Sequence, residues 1–350
     1  MTYVSRLLPL LFLSLLACHC SDDASTAPPA VPDVKVSGVI ILNEGNFQRG
    51  NASLSFYQPD SGTVQNDFYK KLTGKNLGDT GNSLTVHNGL LYIVVNGSNK
   101  IEVINLNTGA SAKTILCPAG SSPRHIVLGD NGWGYISNLY TNSVSMYDIV
   151  SNIVVRNVLV GKNPEGMLLA GNRLFVANSG FGADNTVSVI GLPSDSVQAT
   201  LRVSDSPSAF ASISATSAVV LCSGALNDFN DPNDDTPGKL YYLDVQQLKV
   251  MDSVELGGHP RHIALDDRGF LYTVQSTGIQ RVNLAAKTVM DDFIPGSFYS
   301  IAFNKTRRAL YVTDPLDYVQ PGKLLVYSLD GVKHAEHLLG IIPGDIAIVE

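Results

Sequence analysis

The chain has 350 residues, 44% of them hydrophobic and only 16% charged, with 31 glycines and 17 prolines. Its formal net charge is −7 and it has no cluster of Lys and Arg, which excludes a phosphate-backbone partner such as nucleic acid. The length would suit two average domains, or one closed ring of repeated units.

The first element is a targeting segment. Arg6 supplies a positive start, and Leu7 to Leu16 form an apolar run too short to span a bilayer. It ends in Leu15-Leu16-Ala17-Cys18, which resembles a bacterial lipobox cut before the cysteine that receives lipid. Residues 1–17 are therefore expected to be a signal peptide, with Cys18 lipidated; Cys20 follows His19, a poor residue to precede a cut. Residues 18–35 are rich in Ser, Asp, Ala and Pro, cannot bury a core, and read as a tether. The folded body is expected over 36–350.

Within that body one phrase returns. PRHIVL at 123–128 and PRHIAL at 260–265 are nearly identical, and the same slot holds NSLTV (82), PEGMLL (164), PSAFAS (207), FYSIAF (298) and PGDIAI (343). The intervals are 41, 41, 43, 53, 38 and 45 residues. Between these phrases the chain alternates with period two and carries Gly, Asn, Asp and Ser at the turns, so each unit is four strands. A strand repeat of that length predicts an all-β propeller. Six units are complete. Residues 38–69 supply only three strands, GVIILNE, ASLSFYQ and TVQNDFY, and PGDIAIV at the C-terminal end matches the missing innermost one. Seven blades closed by that strand are expected, because closure removes open sheet edges.

FVANS (175–179), LYTVQ (271–275) and LYVTD (310–314) resemble the YVTN repeats of bacterial surface propellers. ILNEGNFQRGNASLSFYQPDSG (41–62) and LGDTGNSLTVHNGLLYIVVNGSNKIEVIN (77–105) resemble a narrower group, the YncE-like surface lipoproteins of Bacteroidota. That group includes cobalamin-capturing propellers that sit on TonB-dependent vitamin B12 transporters. Asp22 and Asp23 fit the acidic surface-export signal of such lipoproteins. The resemblance implies a surface-exposed, outer-membrane location, a corrinoid ligand rather than a cofactor, and a TonB-dependent transporter as partner.

The loops between second and third strands, and those between blades, emerge on one face around the axis, where rigidly mounted loops usually bind. They carry Phe47, Tyr140, Phe181, Phe229, Phe298, Tyr299 and Tyr318, a set suited to a large amide-rich ligand or a glycan. Any one of them could simply pack beneath its loop. Arg124, Glu165 and Arg261 directly follow blade-opening residues and should ring the channel mouth. They either brace the inner strands or, for the arginines, bind an anionic group. His125 and His262 hold equivalent positions in distant blades, far apart or across the channel, and packing explains them better than a metal, which needs convergent ligands. In the 227–238 insert, Asp231, Asn233 and Asp235 alternate as in a calcium loop, but the Gly and closing Glu of an EF-hand are missing. The choice there is between a weak Ca²⁺ site and a solvated loop. Cys117 and Cys222 fall in separate blades and are expected to be buried thiols.

No G-x-S-x-G elbow and no HExxH is present, and the single Trp133 lies in a strand, which argues against a quinoprotein. The leading expectation is a non-catalytic nutrient-capturing protein. A lactonase-type enzyme and a scaffold for protein or polymer are the alternatives.

Overall fold

In the computed structural model, residues 36–350 are described apart from Pro193 and residues 228–233. They form seven four-stranded antiparallel sheets, each hydrogen-bonded in chain order except the first. Blade 3 shows the unit: Pro123–Leu128, Trp133–Asn138, Ser143–Asp148 and Ile153–Leu159. Blades 2, 4, 5, 6 and 7 occupy 81–116, 164–202, 207–255, 261–295 and 301–341. Blade 1 is split. Its innermost strand, Pro343–Val349, pairs antiparallel with Gly38–Asn43 in the register Ile41↔Ile346 and Ile40↔Ala347. Each innermost strand packs against those of both neighbouring blades, so the ring closes between 343–349 and 81–87. The seven-bladed propeller expected from the repeat is the fold.

The core is divided into seven apolar clusters, one between each pair of adjacent blades. Period-two alternation produces that arrangement, because successive side chains leave a strand on opposite faces. Ile40 and Leu42 enter the cluster shared with blade 2, whereas Val39 and Ile41 enter the one shared with blade 7. Second strands are consequently buried on both faces, as Leu91 to Val95 are throughout. Each such side chain contributes about 1.5–3 kcal/mol on leaving water, before the entropy of ordering is subtracted.

The recurring phrase has a backbone cause. Just ahead of four innermost strands stand Thr80, Ser122, Asn163 and Ser206, with φ of 50, 55, 43 and 54°. The carbonyl of each accepts a hydrogen bond from the loop after the second strand, at Gly97, Leu139, Ser179 and Ser223. The turn thus fastens the between-blade loop to the second-to-third-strand loop of its own blade, and both sit at one end of the ring. Val36 lies at the other end, where its N–H donates to Leu106 O at 2.8 Å.

One expected strand is corrected. TVQNDFY does not run as a strand over 63–69: only Thr63–Gln65 pairs, and a short helix, Phe68–Thr73, follows. Phe68 stacks on Phe56 at 4.7 Å and Tyr69 is buried beside it, so packing against the blade overrides local alternation. Cys117 and Cys222 are free and buried, and burial pushes each thiol up to about 12.

Candidate functional site

At the loop end of the axis lies a polar cup of about 330 Å³. Its side chains come from the first turns of the innermost strands. Blade 3 supplies Arg124 and His125, blade 4 Glu165, blade 6 Arg261 and His262, and blade 7 Tyr299. Blade 1 supplies two further groups from opposite sides of its split: Glu44, just past Gly38–Asn43, and Asp345 from the closing strand. Irregular register at the start of these strands, as between Pro123 and Ile126 or Arg261 and Ile263, turns consecutive side chains toward the axis.

The charges are arranged in pairs. Arg124 Nε donates to Glu165 Oε2 at 2.7 Å, linking blades 3 and 4. Burial works against the Arg124 charge, but the ion pair and hydrogen bond with Glu165, aided by Glu44, hold it above its usual range. Tyr299 Oη donates to Glu44 Oε2 at 3.3 Å. Burial raises the Glu44 carboxyl to about 7, although that hydrogen bond and Arg124 pull the other way. Asp345 is raised to about 6 by burial, opposed by the Leu84 and Ile346 N–H groups, which donate to it at 2.7 and 2.9 Å. Both imidazoles are held neutral. Burial, then Arg124 and His262, bring His125 down to about 3; burial, then Arg261 and Arg124, bring His262 down to about 4.

Aromatic loops surround the cup. Phe181 lines it directly, and Tyr318 meets Tyr299 edge-on at 5.8 Å. Both hold left-handed backbone, φ 51 and 63°, which is costly for side chains of this size. Phe47, Tyr140, Phe181 and Tyr318 expose between 45% and 71% of their surface. Asn46 Nδ2 donates to Tyr318 O, so the loop bearing Phe47 adjoins that of blade 7.

The expected site residues divide accordingly. Arg124, Arg261, Phe181 and Tyr299 converge on the cup, with Tyr318 behind Tyr299. Phe47 and Tyr140 stand on the same end of the ring but do not line the cup. Phe298 is no loop-tip contact: it is buried between blades 6 and 7 against Tyr327. Asp235 does not line the cup; it accepts from Asn227 N at 3.0 Å and lies 3.6 Å from His259 Nε2. Phe229, Asp231, Asn233 and Cys18 lie outside the described residues. Among the described residues no three metal-ligating side chains converge.

Glu44 and Asp345 escaped the reading of the sequence, yet both left a signal. Asp345 holds in PGDIAI the position that His holds in PRHIVL. Glu44 stands in the LNEGN motif.

Many solved structures share the fold, among them the following two. A quinonprotein alcohol dehydrogenase-like protein from Bacteroides thetaiotaomicron VPI-5482 matches at TM-score 0.68 and 16% identity, over 89% of this chain and 78% of that one. Hydrazine synthase of Kuenenia stuttgartiensis matches at 0.64 and 15%, over 76% of this chain and 88% of that one. At such identities the likeness concerns architecture. No curated protein matches the chain. Residues 37–222, more than half of the chain, match the family described as Domain of unknown function (DUF5074), and the chain belongs to that family.

Proposed function

We propose that this propeller is a surface lipoprotein, anchored through Cys18, that captures a nutrient on its loop face and passes it unchanged to a TonB-dependent outer-membrane transporter. Cobalamin or another corrinoid is the specific candidate, by the resemblance of the LNEGN segment to the cobalamin-capturing group. The observation carrying the reading is the pairing of a polar axial cup with exposed, conformationally strained aromatics at its rim, Phe181 and Tyr318. Aromatic surface beside a few convergent polar groups is the common form of a small-molecule site. At about 330 Å³ the cup takes one polar group of such a ligand, and the body of a corrin would lie across the loops. Val36, the first described residue, is at the far end of the ring from this face.

Calorimetric titration of residues 36–350 with cyanocobalamin tests the proposal. A saturable heat and a raised melting temperature are expected, with the ligand recovered intact, since a ligand that binds only the folded ring must stabilise it. Neither heat nor shift would remove cobalamin. Cys18→Ser should release the full-length protein from membranes, because stable attachment comes from acyl chains.

A second reading has its own observation. Glu44 at about 7 and Asp345 at about 6 titrate where a general acid or base is useful. A lactonase-type hydrolase would use them, and calcium-dependent turnover of sugar lactones would establish it.

A further inference from the structure

The cup has more hydrogen-bond donors than its own acceptors use. Among the described residues, Arg124 spends only Nε within the protein, on Glu165, and both its terminal nitrogens are unpartnered. Arg261 makes no hydrogen bond there; its guanidinium only lies over the Tyr299 ring, 6.0 Å from the centroid. Neither the His125 nor the His262 ring is hydrogen-bonded, and a neutral imidazole still offers one N–H. Each carboxylate is engaged through one oxygen or both: Glu165 Oε2 by Arg124, Glu44 Oε2 by Tyr299, and both oxygens of Asp345 by backbone N–H groups. Two guanidinium groups and two imidazoles therefore face a cavity of about 330 Å³ with nothing of the protein's own to bind. None of these donors is sealed from solvent, and a planar or tetrahedral oxyanion entering the cup would pair with them together.

We propose that the cup is an oxyanion subsite: it seats one carboxylate or phosphate group of a ligand against the terminal nitrogens of Arg124 and the fork of Arg261, with the N–H groups of His125 and His262 completing the shell. The assignment rests on the loop face being the binding surface, and it narrows the ligand to molecules that carry such a group. Phe181 and Tyr299 at the wall select for an apolar or ring-bearing neighbour of the anion. Neutral analogues of the same shape bind poorly, because the donors then stay unpaired.

The test is to titrate residues 36–350 with inorganic phosphate and, separately, with acetate, by calorimetry and, for phosphate, by phosphorus NMR line broadening. One saturable site is expected for at least one of them, and the better probe tells which oxyanion the cup prefers. Arg261→Gln should weaken that binding by about tenfold or more, and Lys249→Ala, exposed on the outermost strand of blade 5, should leave it unchanged. Arg261 is exposed and braces nothing, so its variant stays folded even if Arg124→Gln does not. Absence of saturation by either probe, or an Arg261→Gln protein that binds as the parent does, overturns the subsite. Parallel cyanocobalamin titrations separate the two proposals. Oxyanion binding without a cobalamin response upholds the subsite and removes only cobalamin. Cobalamin binding that is indifferent to phosphate and to Arg261→Gln overturns the subsite and leaves capture standing.

Discussion

Blades 3 and 6 open on nearly the same six residues, PRHIVL and PRHIAL, and the two copies lead different lives. Arg124 is clamped to Glu165, and its strand is braced by Asn82 and Ser83, whose side chains both donate to Arg124 O. Arg261 is exposed and makes no hydrogen bond or ion pair among the described residues; the Tyr299 ring lies beside it. The difference comes from the next blade along, which offers a carboxylate in one case and a phenol in the other. In a ring of repeats, a repeat supplies position, and its neighbour decides whether the side chain there is a brace or a free hand.

The comparison can be broken most drastically by removing the frame that both copies share. Deleting residues 343–350 takes away the innermost strand of blade 1, leaves the edge of Gly38–Asn43 unpaired and uncovers the innermost strands of blades 2 and 7. Loss of the whole cooperative thermal transition is expected; melting like the parent would refute closure by that strand.

A smaller effect separates the two arginines. Arg124→Gln leaves Glu165 buried and alone, a loss of about 2–4 kcal/mol in denaturant unfolding. Arg261→Gln should stay within about 0.5 kcal/mol, as exposed substitutions without partners do. Equal costs would mean that the neighbouring blade does not set the role.

Protonation sharpens the picture further. Tyr299, Arg124, Asp345 and Arg261 face Glu44, and its folded value of about 7 stands above the ordinary 4.5. The folded ring keeps a proton there that the unfolded chain has already lost. This stabilisation is complete below about 4.5 and is lost as pH rises through 7. Glu44→Gln abolishes the loss, so its melting temperature relative to the parent should climb by about 2 °C or more between pH 5 and pH 8. The histidines act in the opposite sense. Their stabilisation is present above the ordinary 6.5 and disappears as pH falls through about 4 for His262 and about 3 for His125. A His125→Asn, His262→Asn double variant should therefore lose less stability than the parent between pH 6 and pH 4.

The smallest expected difference lies in the backbone of the repeated histidine. His262 has φ 48°, in the left-handed region that glycine tolerates, and His125 does not. Glycine at 262 should cost about 1 kcal/mol less than glycine at 125 in the same unfolding measurement.

How far the sequence was readable follows the same line between position and neighbour. The repeat placed Arg124, Glu165 and Arg261 at the channel mouth, since those residues follow a blade-opening signal at fixed offset, but it read His125 and His262 as packing residues, whereas both line the cup. It could not show that Arg124 has an ion-pair partner and that Arg261 has none among the described residues, because that depends on which side chain of the adjoining blade reaches across. Glu44 and Asp345 were hidden for a related reason: they belong to the blade assembled from both ends of the ring, and in chain order they stand about as far apart as two residues of this body can. TVQNDFY misled because its alternation is genuine, and only the stacking of Phe68 on Phe56 ends the strand after Gln65.

The split blade also has a mechanical consequence. Glu44 and Asp345 stand on opposite sides of the one seam where the ring is fastened by hydrogen bonds and packing instead of continuous chain. A molecule held by Arg124 of blade 3 and Arg261 of blade 6 ties together, across the axis, the two arcs of the ring that meet at this seam, and works as a latch. Opening the seam would require its release, so by mass action every occupied ring is harder to unzip than an empty one.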